Sequence, residues 1–362
     1  MRPDDPSYLL NRWPLVFQHN NANNIRIIEE NGEIISRASI MLSEVSFWGC
    51  RMTVGGVGFV HTRADRRERG YASRIMVDCM RRIEELGGDL MQVSGDLGLY
   101  RRLGCRKAGR VHYCRFAKHT LETGANVEVG PLTPEHLDAL AEIHEMEPIR
   151  VRRPFLDFCT LFLHPFAGQV FTIFSGGRPV AYVVVACNEF IAIPLHQQMS
   201  GRGQIIEYGG NRRAILSAIP HLLTLTELDL REMYCYIPFH DTAFLHLLEE
   251  RRIPVSWSPS SMGTYKILNL PRLMHGLRPH LESRLRGEEI ELLVVDQVHG
   301  DTRGNDQFTF RYGEQEVVTN QAEHIVFGLG EESQPSTQGE ELASVLRRVF
   351  PLPLIWHGLN LV

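Results

Sequence analysis

Apolar and polar residues alternate along 25–29 and again along 33–42, and the two runs are separated by Asn31-Gly32. Alternation of this kind marks half-buried strands, and Asn-Gly is a strong two-residue hairpin signal, so these runs are predicted to pair antiparallel. The stretch 47–62 continues the alternation and should extend the same sheet. After it the period changes, with Ile75, Met76, Cys79, Met80, Ile83 and Leu86 falling on one face of a helix. Gly87-Gly88 ends that helix, and Leu90-Met-Gln-Val-Ser94 reads as the next strand.

Upstream, 7–18 suits a short helix before the break at Asn20-Asn-Ala-Asn-Asn24. Beyond a linker at 121–126 the pattern predicts a strand at 127–129 and a helix opened by Thr133-Pro134, threonine capping and proline at the first helical position. There follow a helix over 154–163, a strand at 170–174, a turn at Gly176-Gly177 and a strand over 180–187. A run through Gly209-Gly210 then enters a helix at 214–223. Hairpin, strand, glycine turn and helix thus recur in the order of the first stretch, which points to internal duplication. From Leu270 the order is one helix carrying Leu273, Leu277, Leu281 and Leu285, strands at 290–298, 307–312, 317–320 and 325–327, and a last helix over 340–350.

At 362 residues, 43% hydrophobic and 22% charged, the chain suits a soluble protein of two or three domains. A formal charge of −5 gives no general attraction to nucleic acid or to an anionic membrane, and neither is expected as a partner. No apolar run approaches the roughly 20 residues of a membrane helix, and the start lacks a signal peptide's apolar core, so a cytoplasmic location is expected. The seven cysteines are odd in number and never spaced Cys-x-x-Cys, so neither a disulfide framework nor a metal site is expected.

The chemistry concentrates where the first glycine turn meets its helix. Arg63, Arg66, Arg67 and Arg69 crowd a helix start, which already carries partial positive charge and free N–H groups. Such a place calls for an anion, and Gly70 and Ala72 let one approach the backbone. The competing reading is a solvated loop in which Asp65 and Glu68 neutralise two of the arginines.

The arrangement Arg67-x-x-Gly70-x-Ala72 between strand and helix resembles the pyrophosphate loop of the GNAT acyltransferase superfamily. Leu99-Tyr100-Arg-Arg-Leu103-Gly104-Cys105 is similar to its Tyr-x-x-Leu-Gly-Phe segment, with Cys105 where phenylalanine is usual. The resemblance implies an acetyl-CoA co-substrate. Its pantetheine arm would lie along the backbone of Val60, His61 and Thr62, and its diphosphate on Arg67, Glu68, Arg69, Gly70, Tyr71, Ala72 and Ser73, the last adding a hydroxyl. Tyr100 would protonate the departing thiolate, a role that suits a phenol of pKa about 10. The family usually opens with a strand and two helices, for only part of which this chain has room.

Over nearly its whole length the order of elements resembles acetyltransferases of the enhanced-intracellular-survival type. The expected fold is α/β (α+β): a GNAT acetyltransferase domain, short at its start, over 1–124; a degenerate GNAT-like copy over 125–269, binding no CoA; and a sterol-carrier-protein-like domain over 270–362. The resemblance implies an amine acceptor (aminoglycoside, polyamine or lysine side chain), a homo-oligomer, with a hexamer the size considered, and a terminal carboxylate, here that of Val362, as the base. The tail 350–362 is apolar to its last residue and suits burial, and His357 is a rival base. Two other readings stay open: a non-catalytic carrier of acyl-CoA or lipid, and a protein N-acetyltransferase.

Overall fold

The computed structural model describes residues 7–118, 127–164, 168–187, 201–258, 263–300, 304–328, 339–354 and 358–360. The expected helix at 7–18 is split into α1 (Ser7–Arg12) and α2 (Pro14–Phe17), because Pro14 lacks the amide that would continue the first. β1 (Ile25–Glu30) and β2 (Glu33–Phe47) form the predicted hairpin, with Asn31 and Gly32 at φ of 53° and 80°. Trp48 and Gly49, at 48° and 80°, repeat that turn before β3 (Cys50–Thr62), so the run expected as a strand over 47–62 begins with a reversal. Next come α3 (Tyr71–Glu85), β4 (Leu90–Val93), α4 (Gly98–Arg102) and β5 (Val111–Ala117).

The second stretch contains β6 (Glu128–Pro131), α5 (Leu137–Glu145), β7 (Ile149–Val151) and α6 (Phe155–Leu163). Thr133 does not cap: its hydroxyl meets His136 Nδ1 at 3.0 Å instead, and a 3-10 turn precedes α5. β8 (Gly168–Ser175) and β9 (Arg178–Cys187) are joined at Gly176-Gly177 as expected. β10 (Arg202–Gly210), α7 (Arg212–Thr224), β11 (Glu232–Pro238), α8 (Thr242–Glu250), β12 (Val255–Ser258) and β13 (Thr264–Ile267) follow.

The predicted leucine helix is two, α9 (Leu270–Gly276) and α10 (Arg278–Arg284), the second opened by Pro279. After α11 (Gly287–Leu292), β14 (Leu293–Val298), β15 (Gln307–Tyr312) and β16 (Gln315–Thr319) form an antiparallel sheet. The expected strand at 325–327 lies instead in a helix, α12 (Ala322–Phe327), because a short apolar run does not by itself distinguish a strand from a buried helical turn. α13 (Glu340–Val349) is the predicted last helix.

Two compact units result. One, the α3 unit, draws on 16–110 and 259–355; the other, the α7 unit, on 1–15, 111–258 and 356–361. In the α3 unit the strand order is β1-β2-β3-β4-β13, antiparallel except for β3 and β4, which α3 connects in parallel. α3 lays Ile75, Met76, Cys79 and Ile83 against Ile40, Val57, Met91 and Val93, each apolar side chain contributing roughly 1.5–3 kcal/mol by burial. A Cβ at Gly55 would meet Ile83 at 2.6 Å, so this glycine sets how closely the helix rides on β3.

The α7 unit holds a sheet ordered β12-β5-β11-β10-β9-β8-β6, with β10 and β11 parallel through α7 and one large core beneath α7 and α8. Each sheet takes a strand distant in sequence: β5 follows α4 yet pairs with β11 and β12, and β13 follows β12 yet pairs with β4. Among the described residues no helix is long and apolar enough to cross a membrane.

Candidate functional site

The site begins where β3 and β4 part. Their parallel pairing runs only from Val54 with Leu90 to Val57 with Val93. Among the described residues Gly58 to Thr62 continue along β2 alone, with a register shift between Arg37 and Ser39 and Phe59 at a φ of 54°. Backbone groups of Val60, His61 and Thr62 therefore lie on a strand that has left one neighbour, the situation in which an extended ligand adds like a strand. His61 is exposed, and the Thr62 hydroxyl is 2.9 Å from that of Ser36.

In the loop that follows, the arginines divide into two pairs. Arg63 is held by Asp65 at 3.1 Å and by Glu33, and Arg66 by Asp65 at 3.6 Å and Glu30 at 3.7 Å. Half of the competing reading therefore holds, with Glu30 and Glu33 acting where Glu68 was expected. Among the described residues the Arg67 side chain reaches the carbonyl of Thr62, at 3.4 Å. Among the described residues neither Arg67 nor Arg69 has a carboxylate within ion-pair distance, and both are exposed.

Glu68 and Gly70 have φ of 62° and 80°, and a Cβ at Gly70 would find no atom within 4 Å. α3 has no side-chain cap and no acidic residue in its first turn. The amide of Arg74, bonded to Gly70 O at 3.0 Å, opens its ladder, leaving the N–H groups of Tyr71, Ala72 and Ser73 directed out of the helix start. Tyr71 donates its hydroxyl to Glu30, and its ring lies 5.8 Å from the Arg74 guanidinium.

Tyr100 sits on α4, 7% exposed, in the cluster that also holds Ile75, Met76 and Val93. Burial, then the neighbouring Cys105, raises its pKa, so the phenol keeps its proton at neutral pH. Cys105 N bonds Tyr100 O at 3.0 Å as the chain turns through Gly104 at a φ of 87°. The Cys105 thiol is fully buried and pushed up to about 12, so in phenylalanine's usual place it serves as packing. Asp96 braces the segment from below through Arg101 at 2.6 Å and Lys107 at 3.1 Å.

In the α7 unit the same order of strand, glycine turn, helix and parallel strand gives a different result. Gly210 N donates to Glu147 Oε1 at 2.6 Å, and Arg212 lays its two terminal nitrogens on Glu147 at 2.8 and 2.6 Å. Asn211 caps Ala214 N at 3.1 Å, and Arg212 Nε reaches Asp241 at 2.8 Å. A carboxylate of the chain itself thus stands at this helix start. Sequence reasoning missed Glu147, which is 63 positions from Gly210 and carries no local signal. Val362, His357, Trp356 and Leu361 lie outside the described residues, and among the described residues no cluster of His, Cys, Asp and Glu could hold a metal ion.

Residues 2–108 match the family model described as acetyltransferase (GNAT) domain, so the first part of the chain carries an acetyltransferase domain of the GNAT kind. No curated protein matches the sequence. Among solved structures, the fold is similar to a GCN5-related N-acetyltransferase from Anabaena variabilis, with TM-score 0.63 and 13% identity over 96% of this chain and 90% of that one. It is similar also to a probable N-acyltransferase from Enterococcus faecalis, with TM-score 0.60 and 12% identity over 94% and 88%. Eis1 from Mycobacterium abscessus aligns with TM-score 0.59 and 16% identity over 91% and 87%. At these identities the likeness is one of fold.

Proposed function

We propose that the α3 unit binds acetyl-CoA and transfers its acetyl group to a primary amine by direct attack within a ternary complex. The observation that carries this reading is the uncapped start of α3, flanked by Arg67 and Arg69 and open above Gly70. A diphosphate there would accept hydrogen bonds from the amides of 68–73 and charge-assisted ones from the two arginines. The pantetheine arm would run along Val60, His61 and Thr62 as an added strand, bringing the thioester toward Tyr100.

The amine lone pair attacks the thioester carbon and forms the C–N bond, the C–S bond breaks, and the sulfur leaves with the electron pair. Holding both reactants in one site removes most of the entropic barrier, so no covalent enzyme intermediate is needed. Tyr100 donates to the departing sulfur. Its raised pKa makes full proton transfer to a thiolate uphill, since a phenol ordinarily sits about 1.5 units above a thiol. The phenol therefore acts mainly as a hydrogen-bond donor to charge developing on sulfur. The amine's proton leaves to the α-carboxylate of Val362 in this reading, or to His357. Acceptors are drawn from aminoglycosides, polyamines and lysine side chains.

Thiol release from acetyl-CoA, screened against amines of these classes and lysine peptides, tests the activity. Tyr100→Phe should lower kcat by about 100-fold with acetyl-CoA affinity nearly unchanged. Unaltered kcat would remove Tyr100 from the chemistry. Extending the chain beyond Val362 should depress kcat if that carboxylate is the base; full activity of the extended chain would leave His357.

A further inference from the structure

The α7 unit contains a second group of polar side chains that the proposed chemistry does not use. Arg153 lays its two terminal nitrogens on Glu207, at 2.6 and 2.8 Å, with only 2% of its own side chain exposed. Glu207 Oε1 also faces the Tyr182 hydroxyl at 3.2 Å, and that hydroxyl is 3.0 Å from His144 Nδ1. His144 Nε2 lies 2.8 Å from the carbonyl of Val151, and burial, reinforced by Arg153, lowers the imidazole's pKa and keeps it neutral. Burial alone would raise the Glu207 carboxyl, but Arg153 outweighs it and holds the pKa down to about 2.

Two valences of this ion pair are satisfied by a distant part of the chain. Arg153 Nε donates to Asn360 Oδ1 at 2.7 Å, and Glu207 Oε2 accepts from the Leu359 amide at 2.9 Å. Leu359 and Asn360 are 2% and 9% exposed. If the 358–360 turn lifted away, a guanidinium N–H and a carboxylate lone pair would be left buried without partners, a costly outcome for charged groups.

We infer that Arg153 and Glu207 form a clamp that fixes the course of the chain at 358–360, and that they are positioning residues for the reaction. The second half rests on the proposed role of the Val362 carboxylate, two residues beyond Asn360 in the sequence, as base.

The test is amide hydrogen exchange of the segment around Leu359 in the full-length chain, with amides of β5 and β8, which carry none of these side chains, as internal reference, alongside kcat and KM. Glu207→Gln and Arg153→Met should speed exchange at Leu359 by about tenfold or more while the reference strands hold. Asn360→Ala, which leaves the ion pair intact, should give a smaller increase and keeps the test valid if the core variants fail to fold. On the terminal-base reading, kcat falls in step with faster exchange while the KM for acetyl-CoA stays put. Faster exchange with unchanged kcat would uphold the clamp and overturn the base. Unchanged exchange in variants that remain folded would overturn the clamp, whatever the kinetics.

Discussion

The starts of α3 and α7 are built alike and finished differently. In both, a strand runs through a glycine at positive φ into a helix whose next strand pairs in parallel. At α7 the helix start is occupied from within: Glu147 takes the Gly210 amide and Arg212, while Asn211 caps. At α3 nothing of the kind is present among the described residues, and two arginines add positive charge to an end that is already positive. The difference teaches that the same local geometry can be satisfied by a carboxylate of the chain or left for a ligand. A helix start that keeps uncompensated cations sacrifices stability, and the binding of an anion is what recovers it.

The sharpest way to break this contrast is to reverse the charge at α3. Arg67→Glu together with Arg69→Glu would remove the two charge-assisted contacts proposed for the diphosphate, worth at least about 1.5 kcal/mol each. Acetyl-CoA affinity measured by calorimetry should then fall about 100-fold or more. Binding that survives the double reversal would place the diphosphate elsewhere and remove the basis for the comparison. Arg63 and Arg66, already spent on Glu33, Asp65 and Glu30, should matter far less when replaced by glutamine.

The complementary experiment opens α7. Glu147→Ala leaves Gly210 N and part of Arg212 without partners and should cost about 3 kcal/mol in denaturant unfolding. If Glu147 stands in for an anion, millimolar phosphate should restore part of the lost melting temperature in the variant and do little for the native chain. A drop in melting temperature without such rescue would make Glu147 an ordinary structural ion pair. In the native chain, calorimetry should find one mole of CoA per chain, because one of the two starts is already filled.

How much of this was legible in the sequence follows from the range over which each feature acts. Asn31-Gly32 announces its hairpin because the turn needs φ above zero at both residues and little else. The arginine crowd and Gly70 were visible for the same reason, since the feature is contained within eight residues of chain. Trp48-Gly49 adopts the same turn but was hidden inside an alternating apolar run, where tryptophan reads as strand. Nothing local announced Glu147, Glu30 or the clamp at 358–360, because each acts on a partner far along the chain. The placement of β5 and β13 was equally hidden. Alternation says that a strand is buried on one face; it does not say against which sheet.

One buried carboxyl group from each unit is kept in a different way, and this gives the smallest effect expected. Glu207 in the α7 unit is paired with Arg153, and its pKa is held down from 4.5 to about 2. Glu323 in the α3 unit is 1% exposed; it accepts the Ile267 amide at 2.8 Å on one oxygen, while among the described residues the other oxygen has no partner. Burial raises its pKa from 4.5 to about 7. Between those values the folded chain holds a proton that the unfolded chain has lost, so stability should fall as the pH rises through that window and level off above it. For Glu207 the sign is opposite: its contribution is present above 4.5 and is lost as the pH falls toward 2. Buried imidazoles such as His144 and His240, whose pKa values burial lowers, act in the opposite sense below about 6.5, so the effect is read as a difference: in urea unfolding from pH 5 to 8 the native chain should lose on the order of 2 kcal/mol relative to Glu323→Gln, whose side-chain amide does not titrate. If the two chains followed the same slope, Glu323 would not titrate in this window, and its unpaired oxygen would have to be satisfied in solution by water.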